Sequence, residues 1–288
     1  MHYKPFSDTD IHLPEVALGT WRYSGGIEPL LAGIELGSTF IDTAESYGSE
    51  EVVGSAIHGI RSQVFLASKV SPRHFRRQDV IRAAEGSLKR LKTDYIDLYQ
   101  LHWPNYTVPI AETMAAMEDL VAMGKIRFIG VSNFSAREIE KAQASLSKSR
   151  IVSNQVRYSL VERTIEGDLV QYCESKQIAI LAFSPLASGL ENIRQVDRDD
   201  ILGAVSIKAG KTPAQVALNW CTSRSSVIAI FKADKVEHVK ENCGGSGWRL
   251  DAGQIMALNR IPFHRRGTAE KLARRVARYT LQRLNRNL

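Results

Sequence analysis

The sequence predicts one α/β domain closed into a (β/α)8 TIM barrel. Two observations carry this. Eight short β-branched runs alternate with amphipathic segments, and no Pro-, Gly- or Ser-rich linker divides them. Asp42, Lys69 and His102 end three successive runs, which is where such a barrel keeps its chemistry. With 288 residues, 44% of them hydrophobic, the chain can fill one barrel core.

The elements follow in order. Residues 1–15 precede the first run and are expected to form a short hairpin over the barrel bottom. Strands are expected at Val16–Leu18, Thr39–Asp42, Val64–Lys69, Tyr95–His102, Phe128–Val131, Ile151–Asn154, Ala179–Phe183 and Val227–Ile230. Ile81, Ala84, Leu88 and Leu91 have helical spacing before the fourth strand, and Met114, Met117, Leu120 and Val121 repeat it before the fifth. Gly124 stands where that second helix should stop. Ser135 and Glu138 read as a capping box. Residues 185–211 read as a long polar connection carrying Asp197, Asp199 and Asp200; long βα loops are usually functional or mobile.

Beyond residue 260 the composition changes. Residues 261–288 hold eight Lys or Arg against Glu270 alone, which accounts for the whole net charge of +7. Leu272, Val276, Tyr279 and Leu284 could share one helical face there. The expected organisation is therefore a barrel over residues 1–260 and a basic helical extension over 261–288.

Composition also excludes. No apolar run reaches the roughly 20 residues of a membrane span, and Met1–Asp10 lacks the apolar core of a signal peptide. Cys173, Cys221 and Cys243 lie far apart without a CxxC pair, so neither a disulfide nor a metal site is expected, and a reducing cytoplasm is. The basic tail lacks the aromatic interleaving of a nucleic-acid binder. No GxGxxG follows a strand, so a Rossmann dinucleotide site is not supported. Oligomeric state is left open.

The polar rim is more specific. FIDTAESYGSE around Asp42 and Tyr47, ASKV around Lys69, and DLYQLHWP around His102 resemble the aldo-keto reductase family. GTW at Gly19–Trp21, GVSNFS at Gly130–Ser135, NQVRYS at Asn154–Ser159 and FSPLASG at Phe183–Gly189 extend the resemblance over roughly residues 3–243. It implies NADP(H)-dependent reduction of an aldehyde or ketone to an alcohol, or the reverse. Tyr47 is then the general acid. A free tyrosine titrates near pH 10, and a neighbouring ammonium lowers that value. Lys69 is the expected tuner, Asp42 the carboxylate that holds Lys69, and His102 the group that orients the substrate carbonyl. Trp21 and Trp103, with Tyr47 and His102, would wall the pocket for a small carbonyl or alcohol substrate.

The same resemblance implies a nicotinamide site at the barrel rim. Ser132, Asn133 and Gln155 would hold the carboxamide, because amide side chains both donate and accept. Phe183, where the family usually has Tyr, would stack on the ring. Gly19, Thr20, Trp21 and Asp42 would line the cofactor. Ser184, Leu186 and Ser188 would follow the pyrophosphate. Lys232, Ala233, His238, Glu241 and Asn242 would meet the adenosine end, helped by a helix N-terminus expected near Asp234. Three departures stand here: Phe231 replaces the family's Pro, Ala233 a hydroxyl residue and His238 an Arg that would clamp a phosphate. NADP is the expected cofactor, with Lys232 on its 2′-phosphate, Lys235 as possible compensation and NAD as the second choice. No metal is implied. The alternative from another class is a non-catalytic NADP-binding regulatory or redox-sensing subunit. A phosphate-sugar isomerase on the same barrel would not require Tyr, Lys and Asp together.

Overall fold

The computed structural model describes residues 1–264 together with residues 273, 276, 277, 279, 280 and 282. Two antiparallel strands, β1 (Tyr3–Pro5) and β2 (His12–Pro14), open the chain. Eight parallel strands follow: β3 (Val16–Gly19), β4 (Phe40–Asp42), β5 (Phe65–Val70), β6 (Ile96–Leu101), β7 (Ile126–Ser132), β8 (Ile151–Arg157), β9 (Ala179–Phe183) and β10 (Val227–Phe231). They close in sequence order, β10 pairing with β3, into the expected barrel. The expected strands are all present; β7 and β8 run longer, because their ladder continues through Ser132 and Gln155.

The hairpin seals the bottom. Phe6 and Leu13 are buried in one cluster with Ala17, Phe40, Phe65, Leu98, Leu181 and Ile228. The Phe6 ring meets those of Phe65 and Phe128 edge-on, at 5.2 and 6.0 Å. Lys4 is tied across the same end, its Nζ donating to the carbonyls of Arg224 at 2.7 Å and Val227 at 2.8 Å. With this end plugged by apolar groups, the polar residues of the barrel interior lie toward the strands' C-terminal ends.

The helices obey local rules. Helix Arg77–Leu91 buries Ala84 and Leu91 of the expected stripe, with Ile81 and Leu88 partly buried against the same core. Helix Ile110–Ala122 stops where Gly124 adopts φ +69°. The Ser135–Glu138 capping box is formed.

One expectation is corrected. Residues 185–211 are not a continuous polar connection; they contain helices Leu190–Arg194 and Ile201–Ala209. The acids that suggested a solvated loop include a cap. The buried Asp197 carboxylate accepts from the amides of Ile201 at 3.0 Å and Leu202 at 2.7 Å, satisfying the first amides of the second helix. Gly210, at φ +61°, ends it.

Of the expected tail helix, Val276 and Tyr279 are helical but exposed, at 56% and 39%, so they do not form a buried stripe. Leu272, Leu284 and all eight basic residues of the tail lie outside the described residues. Gln282 is placed: its amide nitrogen donates to the Pro104 carbonyl at 2.8 Å and its oxygen accepts from the Tyr106 amide at 3.0 Å. Cys173, Cys221 and Cys243 are buried free thiols, and burial pushes Cys173 and Cys243 up to about 12, leaving them unreactive. Among the described residues no helix is long and apolar enough to cross a membrane.

Candidate active site

Strand register assembles the site. Asp42 pairs with Ala67, and Lys69 with Gln100, so the polar C-terminal ends of β4, β5 and β6 lie side by side. In a strand successive side chains alternate between faces. Phe40 and Leu98 therefore fill the apolar layer below, and Asp42 and Gln100 the polar layer above. Thr20 fixes β4 from the side. Its amide and its hydroxyl donate to the Asp42 carbonyl at 3.0 and 3.1 Å, and Ser49 donates to that hydroxyl at 2.9 Å.

Tyr47 stands on the loop between Asp42 and helix Glu50–Ala56. That loop is tied to β5 at two points, by the Thr43 amide on the Ala67 carbonyl at 2.9 Å and the Glu45 amide on the Lys69 carbonyl at 3.3 Å. The Glu45 carboxylate reaches the next loop, accepting from the Ser71 amide at 2.5 Å and pairing with His74 Nδ1 at 3.0 Å. Gly48, at φ +72°, supplies the left-handed turn that follows the phenol.

The four side chains meet. Lys69 Nζ donates to Asp42 Oδ2 at 2.6 Å, the Thr43 carbonyl at 2.9 Å and the Tyr47 hydroxyl at 3.3 Å. All three ammonium donors are used. His102 Nε2 lies 3.3 Å from the same phenol oxygen, with the rings edge to face at 5.4 Å. Asp42 Oδ1 accepts from Gln155 Nε2 at 2.7 Å and Gln100 Nε2 at 3.2 Å. Asp42 and Lys69 are 3% and 0% exposed, while Tyr47 and His102 are half-buried and face the rim.

The protonation states follow from burial set against charge. Desolvation pushes Lys69 down, but Asp42 and the Tyr47 phenol outweigh it and hold the ammonium above its ordinary range. Burial pushes Tyr47 up by more than Lys69 pulls it down, so the phenol sits above its ordinary value. The expectation that Lys69 would lower the phenol is corrected in net direction: the ammonium moderates a rise caused by desolvation. His102 is lowered to about 3 by burial and by Lys69, so its imidazole is neutral at physiological pH. The site thus holds a protonated phenol, an ammonium and a neutral imidazole.

The residues expected to hold a cofactor lie at or just beyond the C-terminal ends of β3, β4, β7, β8, β9 and β10 and on the helix that follows β10. Ser132, Asn133 and Gln155 sit together: Ser132 Oγ and the Asn133 amide donate to the Gln155 carbonyl at 2.9 and 2.8 Å. Asn133 Nδ2 donates to Ser132 Oγ at 2.9 Å and to the His102 carbonyl at 3.2 Å, at a left-handed φ of +64°. Phe183 ends β9 partly exposed, with the Arg157 guanidinium 5.6 Å above its ring. Ser184, Ala187 and Ser188 all have φ between +51° and +65°, in a turn that holds Leu186. Non-glycine residues held this way cluster at ligand clamps. An amide cluster, an open ring face and a strained turn in succession fit a nicotinamide dinucleotide.

Gly19 and Thr20 have structural reasons to be what they are. A Cβ at Gly19 would come within 2.8 Å of the Ile230 side chain, and Thr20 is fully buried on Asp42. Trp21 is 50% exposed at the mouth and Trp103 is half-buried. At the far end, Lys232 and Ala233 follow β10, and His238, Glu241 and Asn242 lie on helix Val236–Cys243. That helix starts two residues later than expected. His238 is exposed, while Ala233 and Asn242 are buried. Gln100 and Glu45 hold the site without any expectation attached to them, and Asp234 was expected only to mark a helix start. For Gln100 a signal existed: it is a polar residue two places before His102, on the same face of the strand and between Tyr99 and Leu101.

A barrel that gathers Asp, Tyr, Lys and His at one rim, beside a strained turn and an amide cluster, defines an oxidoreductase of the barrel type. The profile of the Aldo/keto reductase family matches residues 15–261, and this chain belongs to that family. Methylglyoxal reductase YeaE of Escherichia coli (strain K12) is 40% identical over 262 residues, 87% of this chain and 92% of that protein. Glyoxal reductase of Bacillus subtilis (strain 168) is 34% identical over 259 residues, 87% of this chain and 90% of that protein. The crystal structure of an aldo-keto reductase from Klebsiella pneumoniae in complex with NADPH superposes with a TM-score of 0.85 at 38% identity, covering 93% of this chain and 98% of that one.

Proposed function

We propose that this chain reduces small aldehydes and ketones, 2-oxoaldehydes such as methylglyoxal foremost, to alcohols with NADPH, and that Tyr47 is the proton donor. The observation that carries the reading is the Tyr47 hydroxyl, held 3.3 Å from both Lys69 Nζ and His102 Nε2. Lys69 donates to the phenol oxygen, so the phenol's own proton is left for a group on the open side of the rim. A substrate carbonyl there takes that proton as its oxygen gains charge, and Lys69 stabilises the phenolate that remains. His102, neutral, offers a hydrogen bond that fixes the carbonyl's angle without competing for the proton. Asp42, held by Gln100 and Gln155, keeps the ammonium in place.

The dinucleotide supplies the hydride when bound. Phe183, Ser132, Asn133 and Gln155 would hold its nicotinamide, and Ser184, Leu186 and Ser188 its pyrophosphate. Gly19 and Thr20 act beneath it by positioning Asp42, and Trp21 with Trp103 walls the substrate side. Lys232, Ala233, His238, Glu241 and Asn242 would meet the adenosine end. The barrel over residues 1–260 carries all of this, and the extension over 261–288 adds Gln282 against the Pro104–Tyr106 loop. The relatives' reductions of methylglyoxal and glyoxal support the substrate class. The test is NADPH oxidation by the purified chain with methylglyoxal and a panel of aldehydes, ketones and sugars. Turnover with 2-oxoaldehydes is expected. Tight NADPH binding with no turnover on any carbonyl would favour a regulatory subunit instead.

A further inference from the structure

The residue after Ala233 was absorbed by none of the roles above. Asp234 lies where the loops following β3 and β10 meet. Its Oδ2 accepts from Lys232 Nζ, and its Oδ1 accepts from the Ser24 amide at 3.0 Å. The approach is close: a Cβ on Gly25 would fall 2.6 Å from the Asp234 carbonyl oxygen and 2.8 Å from its Cα. Burial pushes the Asp234 carboxyl up, but the hydrogen bonds from Lys232 and Ser24 outweigh it and hold the group ionised. The lysine at the cofactor's adenosine end is therefore already paired, two residues along its own strand end.

We propose that Asp234 sets the cofactor preference of this chain. Its carboxylate competes with a ribose 2′-phosphate for the Lys232 ammonium and repels that dianion directly. The inference rests on the nicotinamide reading above and deepens it. A 2′-phosphate must displace an intramolecular carboxylate, whereas NADH carries a 2′-hydroxyl there and leaves the ion pair intact. An acid beside a ribose can also accept a hydrogen bond from that hydroxyl. Both effects narrow the gap between the two dinucleotides. His238, exposed on the following helix, lacks the planar two-pronged donor set of an arginine and does not restore the bidentate phosphate clamp.

Asp234→Asn is a clean probe, because the amide keeps an oxygen for the Ser24 N–H and removes only the charge. The experiment titrates NADPH and NADH against the whole chain by quenching of tryptophan fluorescence, for the unmodified protein, Asp234→Asn and Lys232→Met. Melting temperatures are recorded alongside. Asp234→Asn should tighten NADPH by about tenfold, the size expected for removing a like charge at a partly solvated site. NADH should be unchanged or weakened, so the affinity ratio moves toward NADPH. Lys232→Met should weaken NADPH and leave NADH within about twofold. An Asp234→Asn protein that melts normally and keeps the original ratio overturns this inference and leaves the nicotinamide reading standing. A chain that binds neither dinucleotide overturns both.

Discussion

The rim carries two lysine–aspartate pairs, Lys69–Asp42 at an inner end and Lys232–Asp234 at an outer one, and they are built differently. At the inner end Lys69 and Asp42 are buried, and their polar atoms are satisfied by groups from β4, β5, β6 and β8. At the outer end the Lys232 and Asp234 side chains are 34% and 31% exposed, and they are held by each other and by one loop amide. A buried charge must be paired from several directions or it is not tolerated. An exposed one is under no such constraint. The proposed proton donor therefore sits where the fold over-determines its neighbours, and the proposed cofactor selector sits where the fold tolerates single substitutions.

The comparison predicts unequal damage. Lys69→Met removes the partner of the buried Asp42 carboxylate. It should abolish measurable reduction and cost roughly 3–5 kcal/mol of stability, read by urea unfolding. Lys232→Met at the outer end should leave the unfolding midpoint in place. If both variants unfold alike, the contrast between the two ends fails.

Glu45→Gln loosens the loop that carries Tyr47, because it replaces one of the two carboxylate oxygens that contact His74 Nδ1 with an amide NH2. Turnover with methylglyoxal should fall about tenfold from imperfect placement of the phenol, with NADPH affinity unchanged. A fall in NADPH affinity instead would place Glu45 in the cofactor site.

The pH dependence reports on the inner end. Reduction consumes the protonated phenol, and burial holds Tyr47 above the ordinary value of 10.0. Turnover should be flat through neutrality and fall only as pH rises through that raised value, while alcohol oxidation, which needs the phenolate, rises over the same range. His102, at about 3, should add no limb near its ordinary value of 6.5. A limb there, abolished by His102→Gln, would contradict the neutral imidazole. The smallest effect is expected from Thr20→Val. It loses the buried hydrogen bond to the Asp42 carbonyl, at about 1–2 kcal/mol of stability, with the chemistry retained.

Much of the inner end was legible in the sequence. Asp42, Lys69 and His102 stand at the ends of apolar strands, where a polar residue is conspicuous, and Tyr47 follows in a recognisable loop. The strands themselves were readable because a buried parallel sheet is written in β-branched runs. Three things were not. The net rise in the Tyr47 pKa needs the depth of burial, which residue types do not give. The Ser24 contact to Asp234 depends on two loops 210 positions apart folding against each other. Helix Ile201–Ala209 was missed because Asp197, Asp199 and Asp200 read as solvated charge, whereas Asp197 is its buried cap.

The central claim is that Tyr47 gives the proton. Steady-state reduction of methylglyoxal by Tyr47→Phe, with NADPH binding followed by fluorescence in the same samples, tests it most directly. Removing a general acid typically costs about 10²–10⁴-fold. The predicted result is a turnover loss of that size with NADPH affinity preserved, since the ring and the Lys69–Asp42 pair remain. Near-normal turnover in Tyr47→Phe would contradict the account.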